Sequence, residues 1–276
     1  MTDGMGSEAG VWPGLAGQVC VITGAGSGIG AETARQFASA GALVAVLDRD
    51  ADSAAAVAAE IESTGKRAIA VVADMGYAET VTAAADRIRR ELGPCRVLVN
   101  NAAVRHREAL IDISLEAWNK VLAVNLTGAL VCTQAFAAQM IAAGRGGSIV
   151  HVASILGHHP QPESGAYSVS KAGLIMLSRL LALELAQHGI RSNVVSPGFT
   201  RTPHTEAAYR DPETAAGRQR MIPVGRVATP ADLAEVIAFL ASDRAGYIDG
   251  QDILVDGGVG NTLMSLVPRP PQGTRS

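Results

Sequence analysis

At 276 residues, with a formal net charge of −3 and a pI near 6.1, the chain lacks the basic field that a nucleic-acid partner requires, and its arginines are scattered among acids. Hydrophobic residues make up 48% and charged residues 18%, which excludes a disordered chain and suffices for a buried sheet covered by helices. No break in composition divides this length, so one α/β domain is expected.

In chain order, residues 1–15 read as a flexible tail, because Gly and small polar residues bury too little surface to offset ordering entropy. They show no basic region followed by an apolar run, and no later segment is read as approaching the roughly 20 apolar residues of a membrane span. Beyond them, β-branched runs alternate with Ala-rich helical stretches: QVCVIT, GIGAETARQFASA, LVAVLD, ADSAAAVAAEIEST, AIAVVAD, YAETVTAAADRIRREL. The strand candidates are apolar almost throughout, as expected where helices cover both faces of a parallel sheet. A doubly wound sheet follows.

Next come VLVNNA, a helix from about Leu115 to Ala143, the strand SIVHVAS, a helix from about Gly165 to His188 and the strand RSNVVSPG. Gly144 and Gly189 stand where left-handed caps end those helices. A polar excursion from Thr200 to Arg226 precedes a helix with Thr229 as N-cap and Pro230 at its first position, and a strand near DILV closes the sheet. Cys20, Cys95 and Cys132 lack metal-ligand spacing and sit in or beside apolar segments; they read as buried free thiols in a reducing cytoplasm, with no metal.

Thr23-Gly24-Ala25-Gly26-Ser27-Gly28-Ile29-Gly30 follows the first strand directly and opens the first helix, which is the context of a dinucleotide loop. Positions without side chains let backbone approach a pyrophosphate whose charge sits at the helix N-terminus. Asp48 ends the second strand, where a carboxylate accepts hydrogen bonds from ribose hydroxyls and repels a 2′-phosphate; this favours NAD over NADP, with Arg49 as the contrary signal.

Tyr167 and Lys171, four positions apart in a helical stretch, emerge on one face. A phenol is a poor base at neutral pH, but a neighbouring ammonium favours its phenolate, so Tyr167 is the candidate general acid or base. Ser154 ends the strand SIVHVAS at the carboxyl edge of the sheet, where α/β folds place ligands. Asn125 lies inside the apolar run VLAVNLTGAL, an expensive place for an amide unless its polar atoms are satisfied; structural and functional roles both fit it.

Taken together, the loop Thr23 to Gly30, Asp74, Asn100-Asn101-Ala102-Ala103, Asn125, Ser154, Tyr167-Ser168-Val169-Ser170-Lys171 and Pro197-Gly198 resemble the short-chain dehydrogenase/reductase family from about Leu15 to Val259. The resemblance implies a single-domain Rossmann fold over residues 16–260 and an NAD-dependent oxidoreductase that interconverts a secondary alcohol and a ketone. It implies that Gly24, Ser27, Gly28, Ile29 and Gly30 hold the pyrophosphate, that Asp48 and Arg49 meet the ribose, and that Asp74 and Met75 contact the adenine. Asn101, Ala102 and Ala103 would lie along the middle of the cofactor, with Ala103 replacing the glycine usual there.

It further implies that Lys171 bonds the nicotinamide ribose and lowers the Tyr167 pKa, that Asn125 holds a relay water, and that Ser154 steadies the substrate oxygen. Pro197, Gly198, Thr200 and Thr202 would orient the carboxamide. An NADPH-dependent 3-oxoacyl-carrier-protein reductase is the alternative enzyme, although Ser27 and Asp48 stand where it needs basic residues. A non-catalytic dinucleotide-binding regulatory protein is the alternative class.

Substrate choice is expected in Val104 to His106, Ile155 to Glu163 and Phe199 to Met221. His158 and His159 would either read a polar group or be merely solvated, and His204, Tyr209, Arg210, Arg218 and Arg220 would either meet an anion or face water. The resemblance also implies a homotetramer that pairs the helices carrying Asn125 and Tyr167. The tail 261–276 begins with an apolar stretch expected to cover a neighbouring subunit's site.

Overall fold

The computed structural model describes residue 12 and residues 14–263. The β-branched runs form strands β1 Val19–Thr23, β2 Leu43–Asp48, β3 Ala68–Val72, β4 Cys95–Asn100, β5 Gly147–Val152, β6 Ile190–Pro197 and β7 Asp252–Val255. All pair in parallel, in the order β3-β2-β1-β4-β5-β6-β7. The chain starts in the middle of the sheet, builds outward to β3, then returns to β4 on the other side of β1, so a crevice opens at the carboxyl ends of β1 and β4.

The helices are α1 Gly28–Ser39, α2 Ala51–Ser63, α3 Ala78–Glu91, α4 Leu115–Leu122, α5 Gly128–Ala143, α6 Gly165–Leu185, α7 Pro212–Arg220 and α8 Pro230–Ala241. Residues of the inner strands β1, β2, β4, β5 and β6 are buried on both faces, which explains their nearly unbroken apolar character, while the edge strands β3 and β7 are partly exposed. Cys20, Ile22, Val44 and Val46 join the core under α1, α2 and α8, while Val19, Val21, Ala45 and Leu47 join the one under α3 and α5. Leu174 and Ile175 of α6 pack with Val194 of β6 and Ala129 of α5.

The polar signals act where expected. Thr229 and Asp232 form a reciprocal capping box with Pro230 in the first turn of α8, and Gly144 and Gly189 close their helices at φ of 64° and 67°. Several boundaries move. Leu15 is fully buried and Trp12 packs against the same core, so the folded body begins before residue 16, where the tail was expected to end. The remaining residues of the expected tails, 1–11, 13 and 264–276, lie outside the described residues, and with them most of the apolar stretch expected to reach a neighbouring site.

The helix expected from Leu115 to Ala143 is continuous but contains a π turn at Ala123–Thr127. By length and composition it could cross a membrane, contrary to the sequence reading, at mean hydropathy 1.6 over its most apolar window. Its apolarity has a core origin on one side: Cys132, Phe136, Ala137 and Met140 are buried against the sheet. The excursion after Thr200 is less irregular than its composition implied, because Asp211 caps α7 through the Thr214 N–H and Pro212 starts it.

Candidate active site

The glycine loop joins β1 to α1 at the crevice. A methyl on Gly30 would lie 2.3 Å from the Gly24 carbonyl oxygen and 2.5 Å from Asn101 Nδ2, so this position is glycine because backbone and amide already fill the space. Gly28 differs: its φ is +57°, and the nearest atom to an added methyl, on Thr202, is 3.5 Å away. Thr202 therefore faces the loop across a narrow gap.

Ser27 stands at the N-cap of α1 yet its side chain makes no capping hydrogen bond, and the first turn holds no acid. The helix start thus keeps its free N–H groups for an anion. Asp48 reaches the same loop: its Oδ2 accepts from the Gly26 N–H at 2.9 Å and its Oδ1 from the Asp50 N–H at 3.1 Å. Arg49 is exposed beside it. These residues fit a dinucleotide, with an uncapped helix start for the pyrophosphate and an oriented carboxylate for a diol.

Asn101 turns out to brace the loop. Its side chain donates to the Thr23 and Gly24 carbonyls at 2.9 and 3.0 Å, and the Thr23 hydroxyl accepts from the Asn101 and Ala102 N–H groups at 3.0 Å each. Ala103 is exposed. Asp74 accepts from the Gly76 N–H at 2.8 Å, while the Met75 side chain is buried beside Cys132, which leaves Asp74 and backbone for any contact to a base. Pro197 ends β6, and Thr200 bridges to Ala228 and accepts from Thr205 through its carbonyl.

Tyr167 and Lys171 lie in the first turns of α6, both buried, with Lys171 Nζ 5.7 Å from the Tyr167 ring centre and donating to the Val152 carbonyl at 2.6 Å. Ser154 sits two residues past β5, at the start of a 3-10 turn whose Leu156 N–H it accepts at 3.1 Å. Burial alone would raise the Tyr167 pKa, but Lys171, then Arg105, and hydrogen bonding from Arg105 and Ser154 outweigh it and hold the phenol below its ordinary value. Burial pulls the Lys171 ammonium down, opposed by the negative charge on Tyr167.

Asn125 lies in the π turn, 1% exposed. Its Oδ1 accepts from the Val104 N–H at 2.8 Å, and its Nδ2 donates to the Val104 carbonyl at 3.0 Å and to Ser170 Oγ at 3.1 Å. The amide is thereby satisfied, and it ties the loop after β4 to α6. Ser170, fully buried, donates to the Tyr167 carbonyl at 2.7 Å, a link no spacing rule signalled.

Arg105 was hidden within the expected substrate loop. Its Nη2 donates to the Tyr167 hydroxyl at 3.2 Å and its guanidinium carbon lies 4.4 Å from the ring centre. The two histidines separate: His158 bonds Asp252 at 2.5 Å, whose other oxygen accepts from Ser196, so His158 is a structural tie rather than a solvated group. Arg218 stacks on Tyr209 and Phe199, and Arg201 pairs with Glu206, so much of the excursion's charge is spent within it. A cleft of about 470 Å³ lined by Arg96, Ser148, Arg191 and Asp249 opens at the amino ends of the strands, remote from this centre.

Comparison with known proteins adds to this geometry. Residues 24–260 match a family model described as enoyl-(acyl carrier protein) reductase. The chain is 43% identical over 246 residues to cis-4-hydroxycyclohexanecarboxylate dehydrogenase of Sinomonas cyclohexanicum, covering 88% of this chain and 97% of the relative. A short-chain type dehydrogenase/reductase from Mycobacterium marinum superposes with a TM-score of 0.84 at 36% identity, over 89% of this chain and 96% of that one. A gluconate 5-dehydrogenase from Burkholderia cenocepacia, in complex with NADP and tartrate, gives 0.85 at 32% identity with the same coverage.

The electrostatics of Tyr167 generate a test. Lys171→Met removes the first cation that lowers the phenol, so the Tyr167 pKa rises, and the acid limb of the pH–kcat profile for alcohol oxidation moves to higher pH. A profile superimposable on that of the parent would contradict this electrostatic role.

Proposed function

The chain belongs to the short-chain dehydrogenase/reductase family, and from that premise we propose that it is an NAD(H)-dependent oxidoreductase in which Tyr167 moves the proton. Its reaction class is the interconversion of a secondary alcohol and a ketone. The observation that carries the mechanism is the meeting of Tyr167, Lys171 and Ser154, all buried, at the crevice beside the glycine loop.

When bound, the nicotinamide cofactor supplies or accepts the hydride. The uncapped start of α1 would hold its pyrophosphate, Asp48 its adenosine ribose, and Lys171 its second ribose. In the oxidation direction the Tyr167 phenolate takes the hydroxyl proton of the alcohol while Ser154 holds the same oxygen; in reduction the Tyr167 hydroxyl returns that proton. Asn125 fixes the loop and helix that carry these groups. Their main contribution is orientation of the reacting atoms. The presence together of Tyr167, Lys171, Ser154 and Asn125 supports a catalytic role over a purely regulatory one.

The choice of NAD rests on Asp48. A ribose diol can donate to a carboxylate already oriented by two backbone N–H groups, whereas a 2′-phosphate would bring like charge against it. The NADP bound in three structural neighbours makes this the point to measure. The same argument weighs against the alternative of an NADPH-dependent 3-oxoacyl-carrier-protein reductase.

A homotetramer is supported by α6, where Val169, Met176, Leu180 and Leu183 are exposed at three-, four- and seven-residue spacings on one face. Three buried, unpaired cysteines, with the Cys132 thiol pushed up to about 12 by burial, suit a reducing cytoplasm.

Three outcomes are expected. Purified protein with a panel of secondary alcohols changes nicotinamide absorbance, and Tyr167→Phe lowers kcat by about 10²–10⁴-fold while NADH still binds; undiminished turnover by that variant would sink the proton role. Asp48→Ala lowers the NAD over NADP ratio of kcat/KM by about 10-fold or more, and an unchanged ratio would refute the role of Asp48. Light scattering gives a mass near four 28.4-kDa chains, and Leu183→Asp reduces it; a monomeric parent would end the tetramer reading.

A further inference from the structure

The loop after β4 is pinned at both ends. Asn125 clamps Val104 through two hydrogen bonds, and the Glu108 N–H donates to the Glu163 carbonyl at 3.2 Å, just before α6. Between these anchors stand three side chains that can carry positive charge. His106 bonds Glu108 at 2.8 Å and Arg107 lies 3.7 Å from Glu163, so both have acids. Arg105 does not.

Among the described residues, no carboxylate lies within ion-pair distance of Arg105, which is exposed, and its hydrogen bond and its ring contact are both with Tyr167. A guanidinium stays charged at any physiological pH and carries five donors in a rigid fork, of which one is spent on the phenol. Lys171 adds a second, buried cation 5.7 Å from the centre of the same ring. The reacting oxygen therefore sits beside two cations, with no carboxylate of the described residues paired to Arg105. A fork with donors to spare, beside the atom that exchanges a proton with substrate, matches a planar two-oxygen anion.

We propose that Arg105 binds the carboxylate of the substrate, so that the alcohols and ketones turned over are hydroxy acids and oxo acids. This rests on the oxidoreductase reading above and deepens it. Because Arg105 reaches the Tyr167 hydroxyl itself, the carboxylate and the carbinol carbon belong to one small molecule, separated by a short carbon bridge or ring. Its oxygens take the guanidinium donors while the carbinol oxygen takes Tyr167 and Ser154.

The test is a binding ratio read without turnover. Cyclohexanecarboxylate and cyclohexanecarboxamide, nearly equal in shape and different in charge, are titrated calorimetrically into the enzyme saturated with NADH. The parent is expected to bind the carboxylate about 30-fold more tightly than the amide, as a charge-assisted fork would give. Arg105→Gln brings the ratio within about 3-fold, and Arg105→Lys, which keeps charge but loses the fork, falls between. Equal binding of the two probes by the parent, or a preference retained in Arg105→Gln, overturns the proposal. Were Arg105 only to tune Tyr167, Arg105→Gln would shift the pH profile for an uncharged alcohol and leave the ratio intact, which also overturns it. Absence of turnover on every alcohol would instead overturn the oxidoreductase reading, because the ratio is decided by binding alone.

Discussion

The centre depends on one buried amide. A side-chain amide removed from water costs free energy on the order of 1–3 kcal/mol for each polar group left without a partner, so Asn125 is tolerable only where its groups are met. Both of its polar atoms find partners, and those partners lie on separate elements: the backbone of Val104 after β4, and Ser170 in α6. The wider π turn carries the amide inward from within the largely apolar run VLAVNLTGAL. The cost of burying a polar group thereby becomes a fixed distance between the loop bearing Arg105 and the helix bearing Tyr167 and Lys171. If this clamp were lost, the phenol and its two cations would no longer be held in register.

The cofactor side is organised by close approach instead. Thr23, 1% exposed, donates its hydroxyl to the Val99 carbonyl and accepts two N–H groups from the end of β4, which locks the two central strand ends together. Asn101 completes the lock from above Gly24 and fills the volume a methyl on Gly30 would need. The loop is rigid before anything binds, so little ordering entropy is left to oppose an anion at the start of α1.

The sheet, its helices and the buried pair Tyr167 and Lys171 were legible because each left a local mark: unbroken apolar strands, a cap at Thr229, glycines at helix ends, and a tyrosine and a lysine one turn apart. What escaped was set by tertiary context. Leu15 precedes the first strand and shows no period, yet the core closes over it. Met75 is itself an expected adenine contact, yet its side chain packs inward against Cys132 and leaves only its backbone for that role. Nothing in the order His158-His159 reveals that one of them reaches Asp252, a residue 94 positions later. Arg105 looked like one arginine among many, since its meaning comes from a ring 62 positions further along the chain.

Charge along the crevice follows from these placements. At one end Asp48 is held by backbone donors; at the other, Arg105 and Lys171 face Tyr167, and no carboxylate of the described residues pairs with Arg105. The positive end also does two tasks with one field. It lowers the energy of the phenolate, and it leaves an electrostatic deficit that a negatively charged substrate is suited to fill. An uncharged alcohol would benefit from the first and gain nothing from the second, so discrimination between acids and neutral alcohols arises from the same cations that prepare Tyr167 to accept a proton.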